Sequence, residues 1–284
     1  FTMNQSFTID FTKELSLKLN GIWYYNEGMY ESFNKDYLQS PGVTNTSHGS
    51  SAQFDRTIDQ TYNAILNFNK QINKDHFVDA MAGFEYYDSY NSGFSASGSG
   101  APTDAFADLS YTVNGEGKRS IDSWHSRQRI MSFFGRVNYD YQGKYLLSAV
   151  FRRDGYSRLA KDQRWGFFPG VSDGWVFTKE EFAEKDADIL SVGKFRASYG
   201  ANGNVHKDWV GNYTVQGAYA TTTKYAGSNA ILLSTIPNPY LTWEKSYTFE
   251  AGLDLGFLEN RINANLTYYN RLTTDKFASI TIPS

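Results

Sequence analysis

The stretch Tyr145-Leu-Leu-Ser-Ala-Val-Phe-Arg-Arg153 alternates between two kinds of side chain. On one face a strand would carry apolar and aromatic residues, namely Tyr145, Leu147, Ala149 and Phe151. The other face would carry a mixed set that ends in a charge, namely Leu146, Ser148, Val150 and Arg152. Side chains of a β-strand point alternately to its two faces, so this two-residue period predicts a strand with one apolar face.

The same period recurs along the chain and predicts ten strands. They cover residues 3–11, 15–26, 61–69, 76–90, 128–139, 145–153, 164–177, 191–201, 242–256 and 262–271. Short links at 12–14, 70–75, 140–144 and 257–261 alternate with long ones at 27–60, 91–127 and 202–241, and 154–163 is intermediate. An antiparallel meander with tight turns at one end and long loops at the other is typical of outer-membrane barrels. We therefore expect an all-β protein, an antiparallel segment of a transmembrane β-barrel.

In other strands, such as 15–26 and 191–201, the charged residues also share the polar face. Lys194 and Arg196 alternate with Phe195, Ala197 and Tyr199. A lipid-facing Arg or Lys at the membrane midplane costs about 2–4 kcal/mol, which explains such segregation. Aromatic residues collect near predicted strand ends, as in interfacial girdles: Trp23, Tyr25, Tyr86, Tyr87, Tyr139, Tyr141, Tyr145, Trp243 and Tyr268. A soluble β-sheet with one solvent-exposed face would show the same alternation, and it remains an alternative on this pattern.

Three segments depart from simple alternation. Strand 164–177 would place Asp173 on the apolar face, and we expect a bulge at Pro169-Gly170 to shift the register. Residues 178–190 are predicted to form a surface helix, with Thr178 and Glu181 as a capping box. The segment 95–103, Ser-Ala-Ser-Gly-Ser-Gly-Ala-Pro-Thr, is the most flexible by composition, as expected for a mobile or ligand-facing loop.

The composition excludes several classes of protein. The chain has 284 residues with 17% aromatic residues, no cysteine and a formal net charge of -3. Disulfide scaffolds, thiol nucleophiles and cysteine-based zinc sites are thereby excluded. The charge gives no footprint for nucleic acid, and the aromatic content argues against disorder. We expect no nucleic-acid partner.

Enzyme motifs are missing as well. His48, His76, His125 and His206 show no metal-ligand spacing, and no phosphate loop, dinucleotide motif or nucleophile elbow is present. The sequence therefore predicts no catalytic residue, no metal and no cofactor. Two other classes stay open on pattern alone. One is a small ten-strand outer-membrane protease that uses loop His and Asp residues, and the other is a soluble carbohydrate-binding β protein.

Several ordered strings resemble the SusC/RagA family of TonB-linked outer-membrane transporters of Bacteroidetes. They begin with Phe134-Gly-Arg-Val-Asn-Tyr-Asp-Tyr141, Lys144-Tyr-Leu-Leu147, Arg153-Asp-Gly-Tyr-Ser-Arg158, Arg164-Trp-Gly-Phe-Phe-Pro169 and Gly174-Trp175. They continue in family order with Lys194-Phe-Arg-Ala-Ser-Tyr-Gly200, Gly203-Asn204, Trp243-Glu-Lys245, Gly252-Leu-Asp-Leu-Gly-Phe257 and Tyr268-Tyr-Asn270. The resemblance covers residues 128–271 most specifically.

The resemblance implies a 22-stranded barrel with an N-terminal plug, embedded in outer-membrane lipid and closed over by a SusD-like surface lipoprotein. It implies uptake of oligosaccharides or peptides, driven through TonB-ExbB-ExbD. Residues 1–284 are then expected to be part of a single barrel domain. The signal peptide, plug, TonB box, early strands and C-terminal strands are expected to lie outside this slice.

The alternation also yields candidate site residues. Arg136, Arg152 and Asp154 are expected to point to the barrel lumen and form a structural ion-pair ladder on its wall. Gly135, Gly155 and Gly166 are expected to permit close approach of neighbouring groups. For substrate contact, the candidates are aromatic residues of the long loops, with Trp124, Trp209 and Tyr213 foremost.

Overall fold

The computed structural model describes residues 1–115, 118–186, 189–206, 210–225 and 228–278. Fourteen strands lie within these residues. They are β1 (Thr2–Asp10), β2 (Leu15–Phe33), β3 (Tyr37–Ser40), β4 (Val43–Asn45), β5 (Ser50–Gln71), β6 (His76–Gly98), β7 (Arg119–Tyr141), β8 (Tyr145–Tyr156), β9 (Trp165–Trp175), β10 (Leu190–Asn204), β11 (Ala218–Tyr225), β12 (Ser228–Thr235), β13 (Glu244–Phe257) and β14 (Ile262–Thr274).

Ten of these strands form one sheet in the order β1-β2-β5-β6-β7-β8-β9-β10-β13-β14. The ten predicted strands are therefore confirmed. Two separate hairpins, β3-β4 and β11-β12, belong to the long connections. In the described part of the chain β1 and β14 lie at opposite ends of the sheet order and do not pair, which argues against a small barrel closed by these ten strands. No described helix is long and apolar enough to cross a membrane.

The chain divides into two compact units. The first comprises residues 1–4, 22–61 and 88–128, which include the β3-β4 hairpin and one end of the longest strands. The second comprises residues 5–21, 62–87 and 129–284, with strands β8 to β14.

The register of the second unit confirms the predicted faces. Across β7 and β8, Ser132 pairs with Asp154 and Phe134 pairs with Arg152, which places these residues on one face. The other face carries apolar pairs in consecutive strands. These pairs are Val137 with Ala149, Ala149 with Val171, Ala197 with Ala251, and Leu253 with Leu266.

The prediction of a bulge at Pro169-Gly170 is wrong. β8 and β9 pair without a break from Tyr145 opposite Trp175 to Gly155 opposite Trp165. Asp173 therefore lies on the apolar face, opposite Leu147. It is two residues from the end of β9, and a charge near the membrane interface costs much less than one at the midplane.

The predicted helix over 178–190 is also wrong. The described residues there form two short 3-10 helices, Phe177–Lys179 and Glu181–Asp186. The Thr178 hydroxyl accepts a hydrogen bond from the Gly193 amide at 3.0 Å, so it ties the connection to β10 and does not cap a helix.

The long connections contain more strand than the sequence predicts. β5 begins at Ser50, β6 continues to Gly98 and β7 begins at Arg119. The segment 95–103, predicted to be flexible, is packed: Ala101 is buried, and the Gly100 amide donates to the Ser47 carbonyl at 2.7 Å. A Cβ on Gly100 would lie 2.7 Å from the Val113 side chain, so glycine here permits close packing.

Glycines of the second unit lie beneath aromatic rings, as predicted. A Cβ on Gly135 would lie 2.6 Å from Phe151, and one on Gly155 would lie 2.9 Å from Trp165. Within β9, the Phe168 ring also covers Gly166, whereas the first two contacts lie between neighbouring strands. The strands thereby carry large rings across small backbone surfaces, which fixes their register.

Trp243 is not the girdle residue that the sequence predicts. It is only 7% exposed and belongs to an apolar cluster with Tyr156, Leu159, Phe168 and Val210. Its ring lies 5.4 Å from that of Phe168, and its indole N–H donates to the Arg164 carbonyl at 3.0 Å. The cluster lies at the C-terminal end of β8, where Tyr156 is the last strand residue. This end of the second unit carries the long connections.

Candidate functional site

Arg152 forms the first of three polar networks on the polar face of the second unit. Its Nε donates to both carboxylate oxygens of Asp154, at 2.8 and 2.9 Å, and its Nη2 donates to Ser132 Oγ at 3.0 Å. Glu85 Oε1 lies 3.5 Å from Nη2, and the guanidinium lies 5.4 Å from the centre of the Phe134 ring. Ser132 is fully buried and Asp154 is nearly so, so the guanidinium supplies hydrogen bonds to two groups that have little access to water.

Arg136 makes a looser contact on the same face. Its Nη2 lies 3.4 Å from Asp79 Oδ1, and both side chains are substantially exposed. Asn138 donates to the same carboxylate oxygen at 2.8 Å and accepts from the Ser148 hydroxyl at 2.7 Å. Polar groups of β6, β7 and β8 are thus linked in one network.

A third network connects β10, β13 and β14. Arg196 forms ion pairs with Glu250 and, at 3.4 Å, with Asp254, and it donates to Thr267 Oγ1 at 2.6 Å. A Cβ on Gly252 would lie 2.6 Å from the guanidinium carbon, so the glycine leaves the space that Arg196 occupies. Each of the three networks spans neighbouring strands, and all three arginines lie on the polar face.

Two concavities open on this face. One, of about 480 Å³, brings together all three residues of the predicted ladder, Arg136, Arg152 and Asp154. The other, of about 620 Å³, is lined by Asp79, Asn138, Lys194 and Arg196 among others. Charged groups of both signs and side-chain amide groups line both surfaces.

The predicted loop aromatics are placed separately. Trp124 lies in the first unit on β7, where its indole covers Gly93 and 45% of the residue stays exposed. Tyr213 lies in a turn of the second unit and is 56% exposed. Trp209 lies outside the described residues.

Glu180 forms a cluster at the short-connection end of the second unit. Its carboxylate accepts from the Tyr145 hydroxyl at 2.7 Å and from Trp175 Nε1 at 3.1 Å, and Lys144 Nζ lies 3.4 Å away. The hydrogen bonds from Tyr145 and then Trp175, with the Lys144 ammonium, hold the pKa of Glu180 below its usual value. This cluster joins β8, β9 and the connection after β9.

Sequence reasoning missed one group of possible ligands, formed by Asp36, His48 and Asp104 in the first unit. The three residues are far apart along the chain and have no local spacing motif. Only the folded loops bring them together, so no sequence pattern would have identified them.

These observations define a membrane-type β-sheet with an apolar and a polar face. Over residues 1–284 the chain matches the family described as TonB dependent receptor-like, beta-barrel, and it belongs to that family. Membership places the chain in the bacterial outer membrane and confirms the fold class predicted from the sequence.

Individual TonB-dependent receptors are also similar to the chain in sequence. The chain is 33% identical over 230 residues to the TonB-dependent receptor SusC of Bacteroides thetaiotaomicron, covering 78% of this chain and 22% of SusC. It is 31% identical over 224 residues to the TonB-dependent receptor P3 of Formosa agariphila, covering 77% and 21%. The predicted resemblance to SusC is thereby confirmed, and the chain spans about a fifth of the length of these relatives.

A structure of the RagAB peptide transporter superposes with a TM-score of 0.88 at 24% identity, covering 99% of this chain and 31% of that chain. At this identity the similarity concerns the fold.

Proposed function

We propose that the chain is one portion of the wall of a TonB-dependent nutrient importer in the outer membrane. The observation that supports this most directly is the segregation of faces. Arg136, Arg152 and Arg196 make their ion pairs on one face, and the apolar pairs of β7 to β14 lie on the other. A wall between lipid and an aqueous lumen requires this pattern.

The proposed substrates are oligosaccharides or peptides, and the proposed partners are a SusD-like surface lipoprotein and TonB-ExbB-ExbD. SusC and the RagAB peptide transporter are the relatives that support this assignment. The proposal assigns no covalent chemistry to the chain. Arg136, Arg152 and Asp154 have a structural role on the lumen wall. Residues 1–284 are one part of a single barrel domain.

Deletion of the gene in its host tests the importer. Growth on oligosaccharides or on oligopeptides as the sole carbon source is expected to fail for one class and to recover when the intact gene is restored. Deletion of tonB is expected to cause the same loss. Growth that is unchanged on both classes, or uptake that persists without TonB, would reject the proposal.

The proposed substrate-contacting residues are the aromatics Trp124, Trp209 and Tyr213, of which Trp124 lies on β7 and not in a loop as the sequence predicts. Replacement of Trp124 or Tyr213 by Ala is expected to reduce uptake while barrel assembly stays normal. Trp165→Ala is the matched control, because Trp165 has a similar exposure but lies on the apolar face. Equal uptake by the Trp124 and Trp165 variants would remove Trp124 from the substrate path.

A further inference from the structure

His48 is held with its Nε2 atom directed at two carboxylates. Nδ1 lies 2.7 Å from the Ala101 carbonyl oxygen, which can only accept, so Nδ1 carries a proton. Nε2 lies 2.9 Å from Asp36 Oδ1 and 3.2 Å from Asp104 Oδ1. With Nδ1 protonated, the neutral ring presents the lone pair of Nε2 to two negatively charged oxygens. A cation between these atoms, either a metal ion or a proton on Nε2, would remove the repulsion.

The geometry favours a metal ion over a proton. Nε2 is buried and, among the described residues, makes no hydrogen bond despite the two short distances. A proton on Nε2 would therefore point between the carboxylates. Ligand atoms about 2.0–2.2 Å from one metal ion lie roughly 3 Å apart when adjacent. The two distances from Nε2 fit that spacing, and the donor atoms of all three residues lie within 4.8 Å of one another.

The surrounding loops fix the imidazole before any ion binds. The Phe33 ring stacks on His48 with an interplanar angle of 8°, and the His48 side chain is 12% exposed. The backbone of His48 has φ 41°, a left-handed conformation that is strained for histidine and persists only where neighbouring structure enforces it. Hydrogen bonds from the Asn34 amide to the Gly49 carbonyl and from Gly100 to Ser47 enclose it on both sides.

We propose that His48, Asp36 and Asp104 bind a divalent transition-metal ion, with Zn²⁺ as the best match. One imidazole and two carboxylates are zinc ligands, whereas Mg²⁺ and Ca²⁺ prefer oxygen alone. Imidazole protonated at Nδ1 and donating to a carbonyl is the usual arrangement of a metal-binding histidine. Both aspartates are nearly half exposed, which leaves an entry path and an open coordination position.

The ion would fasten three loop segments, around residues 36, 48 and 104. All three residues belong to the first unit and none of them carries the importer proposal, so the inference stands whether or not that proposal holds. Its role is to fix the fold of these connections.

Titration of the whole transporter, purified in detergent and freed of metal by EDTA, tests the site. ZnCl₂ alone is expected to bind by calorimetry, and Asp36→Asn or Asp104→Asn is expected to weaken one binding event at least about tenfold. Asp104→Asn keeps Oδ1, which accepts from the Asp36 amide at 2.9 Å, so local structure is retained. The control is Asp108→Asn, an exposed loop residue outside the cluster. CaCl₂ is expected to bind more weakly than ZnCl₂.

A second measurement does not depend on the variants. Co²⁺ added to the unmodified transporter is expected to give an absorption band of a four- or five-coordinate site, which Zn²⁺ displaces. The proposal is overturned if the transporter binds no Zn²⁺ below millimolar concentration, if Co²⁺ gives only the spectrum of the aqueous ion, or if the Asp36 and Asp104 variants bind as the Asp108 variant does.

Discussion

At the scale of single residues, the three arginines of the polar face differ in what depends on them. Arg152 serves Asp154, with a side chain that is 11% exposed, and Ser132, which is fully buried. Arg136 serves Asp79 at 3.4 Å, where both side chains reach water. Leaving a buried charge without its ion-pair partner is costly, whereas an exposed ion pair contributes little to stability.

Replacement of Arg152 by Gln is therefore expected to destabilise the barrel by about 3 kcal/mol, since Asp154 is left buried with an unpaired charge. Arg136→Gln is the matched control and is expected to cost at most about 1 kcal/mol. Denaturant unfolding in detergent, followed by tryptophan fluorescence, measures both. Equal losses in the free energy of unfolding would show that the two arginines contribute equally to stability.

At the scale of elements, the connection after β9 is fastened by Glu180, whose pKa is lowered by Tyr145, Trp175 and Lys144. A carboxyl with a lowered folded-state pKa contributes stability above its unfolded pKa and loses it as the pH falls through the folded value.

The thermal stability of the transporter is therefore expected to fall more steeply below about pH 4.5, the unshifted value, than that of a Glu180→Gln variant. Glu181→Gln removes the same charge one residue away and serves as the control. Melting temperatures between pH 7 and pH 3 provide the measurement. Parallel curves for unmodified protein and Glu180→Gln would contradict the linkage.

The apolar cluster around Trp243 is the second element-scale feature. Phe168→Ala would open a cavity against Trp243 and Tyr156 and is expected to destabilise the second unit by about 3–5 kcal/mol. Tyr240→Ala removes a ring that is 81% exposed and is expected to change little. The same denaturant titration distinguishes them, and similar midpoints would mean that the cluster is not a core.

Whether the sequence predicts the bounds of a strand depends on the environment of its two faces. Where strands cross the membrane, as β8 and β10 do, one face meets lipid and the alternation is clear. The parts of β5, β6 and β7 that belong to the first unit carry polar residues on both faces, so the two-residue period is lost and the predicted strands stop too early. Trp243 was misplaced because burial against Phe168 depends on β9, far away in sequence.

At the scale of the whole molecule, the site was less predictable than the fold. The polar face that carries Arg136, Arg152 and Asp154 follows from a period of two. The contacts of Asp79, Glu85 and Ser132 with these residues depend on the register between strands, which the period does not specify. Asp36, His48 and Asp104 meet through loop packing alone. Local alternation therefore predicts faces, and only the folded chain defines clusters.

The apolar face gives the last prediction, which concerns insertion of the whole barrel. Ala149 lies on that face midway between Tyr145 and Arg153, and Ser148 lies next to it on the polar face. Ala149→Arg is expected to cost about 2–4 kcal/mol at the membrane midplane and to reduce the assembled barrel in outer-membrane fractions. Ser148→Arg adds the same charge toward water and is expected to assemble normally. Heat-modifiable electrophoretic mobility measures assembly, and a defect confined to Ser148→Arg would mean that the two faces have been assigned in reverse.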